Sequence, residues 1–309
     1  MLIMNPPVKI TDSVVMLGIN EYPLYLVRGR TEGAIFEGGV GAIGPVVHRQ
    51  LDPLVIDPDF VKQIILTHAH PDHVMGVPML RKLFPGVTVS ASKAAAAILS
   101  AEKAVSFFAK VDQELTESLL AAGSIGQEHR PEPLTEMRIS VDRLLADGDT
   151  VAVGSLSFNV LETPGHSDCS LSFHEPRAGI LVISDATGYY LPEHEWWWPN
   201  YFTGYAAYLD SMRRLSALPA KTVCLSHNGA ITGAGDVKAY FDGAIGATEA
   251  YHRRIVAEAR EGKAAREIAE RLGRDVYEKT QLAPLEFFQK NCGVLVKQSL
   301  KHEGMIDDE

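Results

Sequence analysis

The chain has 309 residues, with 29 Lys and Arg against 39 Asp and Glu, a formal charge of −10. A composition of 46% hydrophobic and 22% charged residues is that of an ordinary globular protein. The acidic balance argues against a nucleic-acid partner, because polyphosphate binding relies on clustered Lys and Arg. Three scattered cysteines, Cys169, Cys224 and Cys292, are too few for a disulfide framework and fit a reducing, cytoplasmic compartment.

The opening Met1–Pro7 has no basic segment before its short apolar run and does not read as a signal peptide. No stretch approaches the ~18 apolar residues of a membrane span. Strand-like runs follow at 13–18, 24–27 and 33–36, the last ending in Glu37-Gly38-Gly39. Residues 43–51 read as a helix, 64–66 as a short buried strand, 76–84 as a helix and 87–90 as a strand. In 101–122, Ala104, Phe107, Phe108, Val111, Leu115 and Leu119 recur at the three- and four-residue spacing of a helix. Strands resume at 151–153, 158–161, 171–173, 179–183 and 222–225, with Asp147-Gly148-Asp149 and Val153-Gly154 as turns. From 236 onward the chain reads as helical, over 237–261, over 263–272 with Gly273 as C-cap, and from about Pro284.

Chemistry is concentrated in Thr67-His68-Ala69-His70-Pro71-Asp72-His73, where three imidazoles and a carboxylate fall within six residues after a buried strand. Alternation along an extended chain sends His68 and His70 to one side, and the turn at Pro71 brings Asp72 and His73 to a second position nearby. Imidazole and carboxylate suit zinc and comparable first-row ions. His166, Asp185 and His227 each stand at a strand terminus, where a rigid scaffold presents side chains to a cleft.

In this order, His68-Ala-His70-Pro-Asp72-His73, His166, Asp185 and His227 resemble the metallo-β-lactamase superfamily, as do Asp147-Gly148-Asp149 and Thr163-Pro164-Gly165-His166. The resemblance spans about residues 12–235. It implies an α/β fold, an αββα sandwich over 1–235 with a helical insertion at about 100–125. A helical region over 236–309 then covers the active-site side. Two divalent ions are implied, zinc first, with iron and manganese as alternatives. By position, His68, His70 and His166 hold the first, Asp72, His73 and His227 the second, and Asp185 bridges. A further likeness, to the bacterial 2-aminobenzoylacetyl-CoA thioesterases of quinolone-signal biosynthesis, lies in Phe36-Glu37-Gly38-Gly39, the insertion and the helical tail. The loop after Asp185 departs from it.

The implied activity is hydrolysis of a small-molecule thioester or related ester by hydroxide generated at the paired ions, with Asp72 and Asp185 as catalytic carboxylates. A thiol of pKa about 8.5 leaves as thiolate without a strong general acid. Tyr189, Tyr190, Trp196, Trp197 and Trp198 are expected to line an acyl pocket or to seal the body against the C-terminal helices, and Phe107 to reach the pocket from the insertion. Cys169 reads as a buried thiol and His194 as a solvated one-off. The C-terminal helices suit either cleft cover or a homodimer interface. A lactonase or glyoxalase-II-like hydrolase, an iron persulfide dioxygenase and a regulatory binding protein remain as alternatives.

Overall fold

The computed structural model describes residues 1–54 and 56–307. Its strands are β1 (Leu2–Ile3), β2 (Val8–Lys9), β3 (Val14–Gly18), β4 (Pro23–Arg28), β5 (Gly33–Phe36), β6 (Val61–Ile65), β7 (Thr88–Ser92), β8 (Arg143–Leu145), β9 (Thr150–Val153), β10 (Leu156–Glu162), β11 (Leu171–Glu175), β12 (Ile180–Val182), β13 (Tyr189–Leu191), β14 (Trp196–Trp198), β15 (Thr222–Cys224) and β16 (Ala230–Thr232). The helices are α1 (Ile43–Leu51), α2 (Pro71–Val74), α3 (Val77–Leu83), α4 (Lys93–Ser100), α5 (Glu102–Ala122), α6 (Tyr205–Ser216), α7 (Ala234–Arg260), α8 (Ala265–Thr280) and α9 (Leu285–His302). They group into two compact units. The first comprises Met1–Glu162, Cys169–Ser184 and Pro219–Val237; the second comprises Thr163–Asp168, Asp185–Leu218 and the chain from Lys238.

The first unit holds two seven-stranded sheets, ordered β1-β16-β15-β12-β11-β10-β9 and β2-β3-β4-β5-β6-β7-β8. β3 to β5 are buried on both faces, so their sequences read as near-continuous apolar runs. Period-two alternation divides their side chains between two cores. Val14, Met16, Tyr25 and Phe36 face the other sheet, where Phe36 meets Phe158 at 5.0 Å and Phe173 at 5.2 Å. Val15, Leu17, Leu24 and Ile35 join the apolar sides of α1, α3, α4 and α5. The expected two-sheet sandwich with a helical insertion is thus present.

Within α5 the buried positions are Val105, Phe108, Asp112, Thr116 and Leu119, whereas Phe107 is 61% exposed. The buried stripe is therefore turned from the one expected through Phe107 and Val111. The difference has a polar cause. Asp112 Oδ1 accepts from the Gly41 N–H at 2.7 Å, drawing a carboxylate onto the inner face of the helix. Burial raises that carboxyl to about 6; the Gly41 N–H opposes the rise and the charge of Asp72 adds to it.

The second unit is helical, with one two-stranded ribbon, β13–β14, that pairs Tyr189 with Trp198 and Tyr190 with Trp197. Trp198, Tyr201 and Tyr208 enter a core with Leu272, Phe288, Leu295 and Val296 of α8 and α9. The helix end expected at Gly273 does not occur, since α8 continues to Thr280. The residue serves packing instead. A Cβ there would stand 2.6 Å from the backbone N and Cα of Gln289 in α9. No helix of the described residues is long and apolar enough to cross a membrane.

Gly273→Ala gains up to about 1 kcal/mol of helix propensity, but its methyl meets immovable backbone, a clash worth about 1–3 kcal/mol. A net loss of stability of about 1–2 kcal/mol is expected in urea denaturation. At Asp112 the folded carboxyl binds its proton more tightly than the unfolded one, so stability falls as pH climbs from about 4 through 6. Asp112→Asn should raise stability by about 1–3 kcal/mol at pH 7–8, with the gain vanishing near pH 4.

Candidate metal centre

β6 ends at Ile65, and Leu66 and a bend at Thr67 lead into His68, whose ring shares one side with that of His70. His70 has φ −104° and ψ 156° and stands just before α2, which Pro71 opens with its fixed φ. That short helix brings Asp72 and His73 round. Two backbone bonds brace it: the Gly38 N–H donates to the His73 carbonyl at 2.9 Å and the Gly76 N–H to the Gly39 carbonyl at 3.1 Å. His227 lies in the tight turn between β15 and β16, where Asn228 has φ 60° and donates its N–H to the Asn20 carbonyl at 2.7 Å. The Tyr25 hydroxyl, 2.6 Å from the carbonyls of both Leu225 and Gly229, clamps that turn.

In the first unit His68, His73 and His227 are buried, and Asp72 is 24% exposed. His68 Nε2 lies 3.0 Å from His70 Nδ1, and Asp72 Oδ2 lies 3.3 Å from His73 Nε2 and 3.8 Å from His227 Nε2. In the second unit His166 and Asp185 are both buried, with His166 Nε2 3.4 Å from Asp185 Oδ2. The approach of the His166 loop to α6 requires Gly165, at φ 116°, where a Cβ would be 2.3 Å from the Tyr208 backbone.

The surrounding hydrogen bonds decide which nitrogen of each ring carries the proton. The Thr67 hydroxyl donates its one proton to Glu37 Oε1 at 2.7 Å, so toward His68 Nδ1, 3.1 Å away, it accepts. Glu37 Oε2 accepts from His73 Nδ1 at 3.1 Å. Carbonyls accept from the other two: Glu21 from His227 Nδ1 at 2.7 Å, and Asn200 from His166 Nδ1 at 3.0 Å. Nδ1 protonated in all four rings satisfies these contacts and leaves Nε2 with a lone pair. Lone pairs of imidazole facing carboxylate oxygens at 3.3–3.8 Å repel unless a cation stands among them. The donor set therefore fits divalent ions of the zinc type.

The sequence pattern of the metallo-beta-lactamase superfamily matches residues 23–227. The chain belongs to that superfamily. Hydroxyacylglutathione hydrolase of Cereibacter sphaeroides (strain ATCC 17029) is 31% identical over 179 residues, 56% of this chain and 51% of the relative. YobT of Bacillus subtilis (strain 168), described as uncharacterized, is 31% identical over 126 residues, 41% of this chain and 46% of the relative. The chain thus spans about half the length of these curated relatives. Among solved structures, a metallo-beta-lactamase family protein of Thermus thermophilus superposes with TM-score 0.66 at 21% identity, over 97% of this chain and 96% of that one. BJP-1, a subclass B3 metallo-beta-lactamase of Bradyrhizobium japonicum, gives 0.58 at 16% over 84% and 97%. These two likenesses concern the fold.

In this superfamily member, sequence reading singled out the ligand-type residues but missed their partners. Glu37 enters the sequence reading only as part of Phe36-Glu37-Gly38-Gly39, yet it is 2% exposed, has φ 77°, and orients two elements of the motif. Its signal was a charged residue directly after a buried strand. Ser184, whose Oγ is 3.0 Å from His68 Nδ1, left no signal at all. Cys169 is buried, and its Sγ accepts from the Ala69 N–H at 3.3 Å, a bracing role for the motif. Within the second unit Trp198 packs on Phe288 at 5.5 Å, while Tyr190 and Trp197 lie 4.5 Å apart and are partly exposed. Trp196 is partly exposed with Lys279 Nζ 5.7 Å over its ring, Tyr189 is buried, and His194 is exposed.

Glu37→Gln keeps the shape but replaces one of two acceptors with a donor, opposing either the Thr67 hydroxyl or the His73 N–H. Metal affinity should fall about 10–100-fold, as read by competition with a chromogenic chelator.

Proposed function

We propose that this chain is a metal-dependent hydrolase of thioesters, using His68, His70, Asp72, His73, His166, Asp185 and His227 to hold two divalent ions, zinc first. The observation that carries the reading is that four of the five histidines, His68, His73, His166 and His227, each set Nδ1 against an oxygen able to accept its proton, which leaves Nε2 for a cation. The order of the donors along the chain supports the same reading. Asp185 directly follows Ser184, the partner of His68, and His166 lies three residues before Cys169, the partner of Ala69.

When bound, two such ions activate water as a nucleophile near neutral pH and polarise a carbonyl. The protein's share is orientation and proton handling. His68 and His73 are held rigid by Glu37, Thr67 and Ser184, so donor positions are set before any ligand arrives. Asp185, buried, provides fixed negative charge that balances the cations. Asp72, the more exposed carboxylate, passes a proton between the centre and solvent.

The thioester preference rests on the curated relatives named hydroxyacylglutathione hydrolase, whose substrate carries its acyl group on sulfur. It also rests on the leaving group, which departs as a thiolate without a dedicated acid. Tyr190, Trp196 and Trp197, the partly exposed rings of the β13–β14 ribbon, offer an apolar wall for the acyl group, with Tyr189 and Trp198 behind them.

The test is a metal count on purified protein followed by a panel of glutathione and coenzyme A thioesters, lactones and a phosphodiester. At least two ions per chain and thioester cleavage are expected. Cleavage should be lost on chelation, restored by zinc, and reduced by roughly 10³-fold or more in Asp185→Asn. Cleavage of lactones alone would replace the thioester reading with the lactonase one. One iron per chain with oxygen uptake would overturn the hydrolase reading.

A further inference from the structure

The second unit carries another set of metal-type donors. His252 of α7, His302 at the end of α9 and Glu303 just beyond it each place one ligand atom within 4.8 Å of the others. His252 Nε2 lies 3.3 Å from Glu303 Oε1. The His252 ring is 6% exposed and stacks on Tyr205 at 3.8 Å and 16°, so its orientation is fixed by packing. Its Nδ1 is buried with no hydrogen-bond partner among the described residues. Tyr205 also meets the His302 ring edge-on at 4.9 Å.

Two features favour a cation over a simple imidazole–carboxylate pair. The site sits at the C-terminus of α9, where outward carbonyls and the helix dipole favour positive charge. Glu303 Oε2 is engaged by Arg260 at 2.8 Å, so the carboxylate is already oriented by an outer partner with Oε1 turned to His252. Arg253 and Arg260 set positive charge nearby and weaken the attraction without removing a donor.

We propose that His252, His302 and Glu303 form a zinc-type cation site that pins the end of α9 to α7. Two imidazoles and one carboxylate are three ligands of a tetrahedral ion, with the fourth position left to water. Its role is structural, because it ties two helices of the second unit fifty residues apart in sequence.

The proposal is tested on the full chain with zinc itself as the probe. Wild type, His302→Ala, Glu303→Gln and the control His194→Ala are dialysed against buffered zinc, and bound metal is counted. His302, Glu303 and His194 are exposed, so these variants leave the core intact. Wild type and His194→Ala should each retain one zinc per chain more than His302→Ala or Glu303→Gln. Zinc should raise the melting temperature roughly 2–4 °C further in wild type than in either site variant, with thioester cleavage equal in all four. Equal zinc counts in wild type, His302→Ala and Glu303→Gln, or an equal loss in His194→Ala, would overturn it.

Discussion

A single hydroxyl proton sets the chemistry of the histidine motif. Thr67 has one proton to give, and Glu37 Oε1 takes it, so the hydroxyl faces His68 Nδ1 as an acceptor. The second oxygen of the same carboxyl takes the Nδ1 proton of His73. One buried carboxyl thus orients His73 directly and His68 through the Thr67 hydroxyl. Such a group is costly to bury, and the cost is met only because both oxygens are bonded. Its backbone lies at φ 77°, a conformation that a glutamate adopts only when its surroundings hold it there.

Rigidity behind that network comes from the two sheets. β6 and β15 belong to different sheets, and the aromatic packing of Phe36, Phe158 and Phe173 between those sheets fixes the strand ends from which His68 and His227 project. Tyr25 reaches across to the turn carrying His227, while Cys169 reaches the chain at Ala69. Donor loops that would otherwise be mobile are therefore bonded at their backbones. Preorganisation of this kind lets a metal bind without first ordering its ligands.

The second unit uses the same logic with different materials. His166 is oriented by the Asn200 carbonyl, and the Asn200 N–H is itself bonded to the Tyr208 hydroxyl at 3.3 Å. Burial pushes that phenol well above its ordinary value, so it stays protonated. The aromatic ribbon divides its labour: Tyr189 and Trp198 are spent on the core with α8 and α9, whereas Tyr190, Trp196 and Trp197 keep part of their rings outside. Alternation puts Tyr189 and Trp198 on one face and Tyr190 and Trp197 on the other; Trp196 shares the face of Trp198 but begins its strand and stays partly exposed.

Much was legible from residue order alone. Spacing in His68–His73 marked a metal-type motif, apolar runs marked the sheet strands, and three-four periodicity marked α5, because ligand chemistry and side-chain period are local properties. What spacing could not show was how α5 is turned. Asp112 faces inward because Gly41, seventy-one residues away, offers it an N–H, so Phe107 is left outside. Gly273 looked like a helix end because glycine terminates helices locally, yet it sits mid-helix so that α9 can approach. The roles of Glu37, Ser184 and the carbonyls of Glu21 and Asn200 were illegible for a related reason. Their roles are hydrogen bonds to residues 30 to 206 positions distant, and they settle tautomers that no sequence encodes. The sequence by itself determined which side chains are of the metal-ligand type; only the tertiary structure decided where their protons go, because that depends on acceptors brought in by folding.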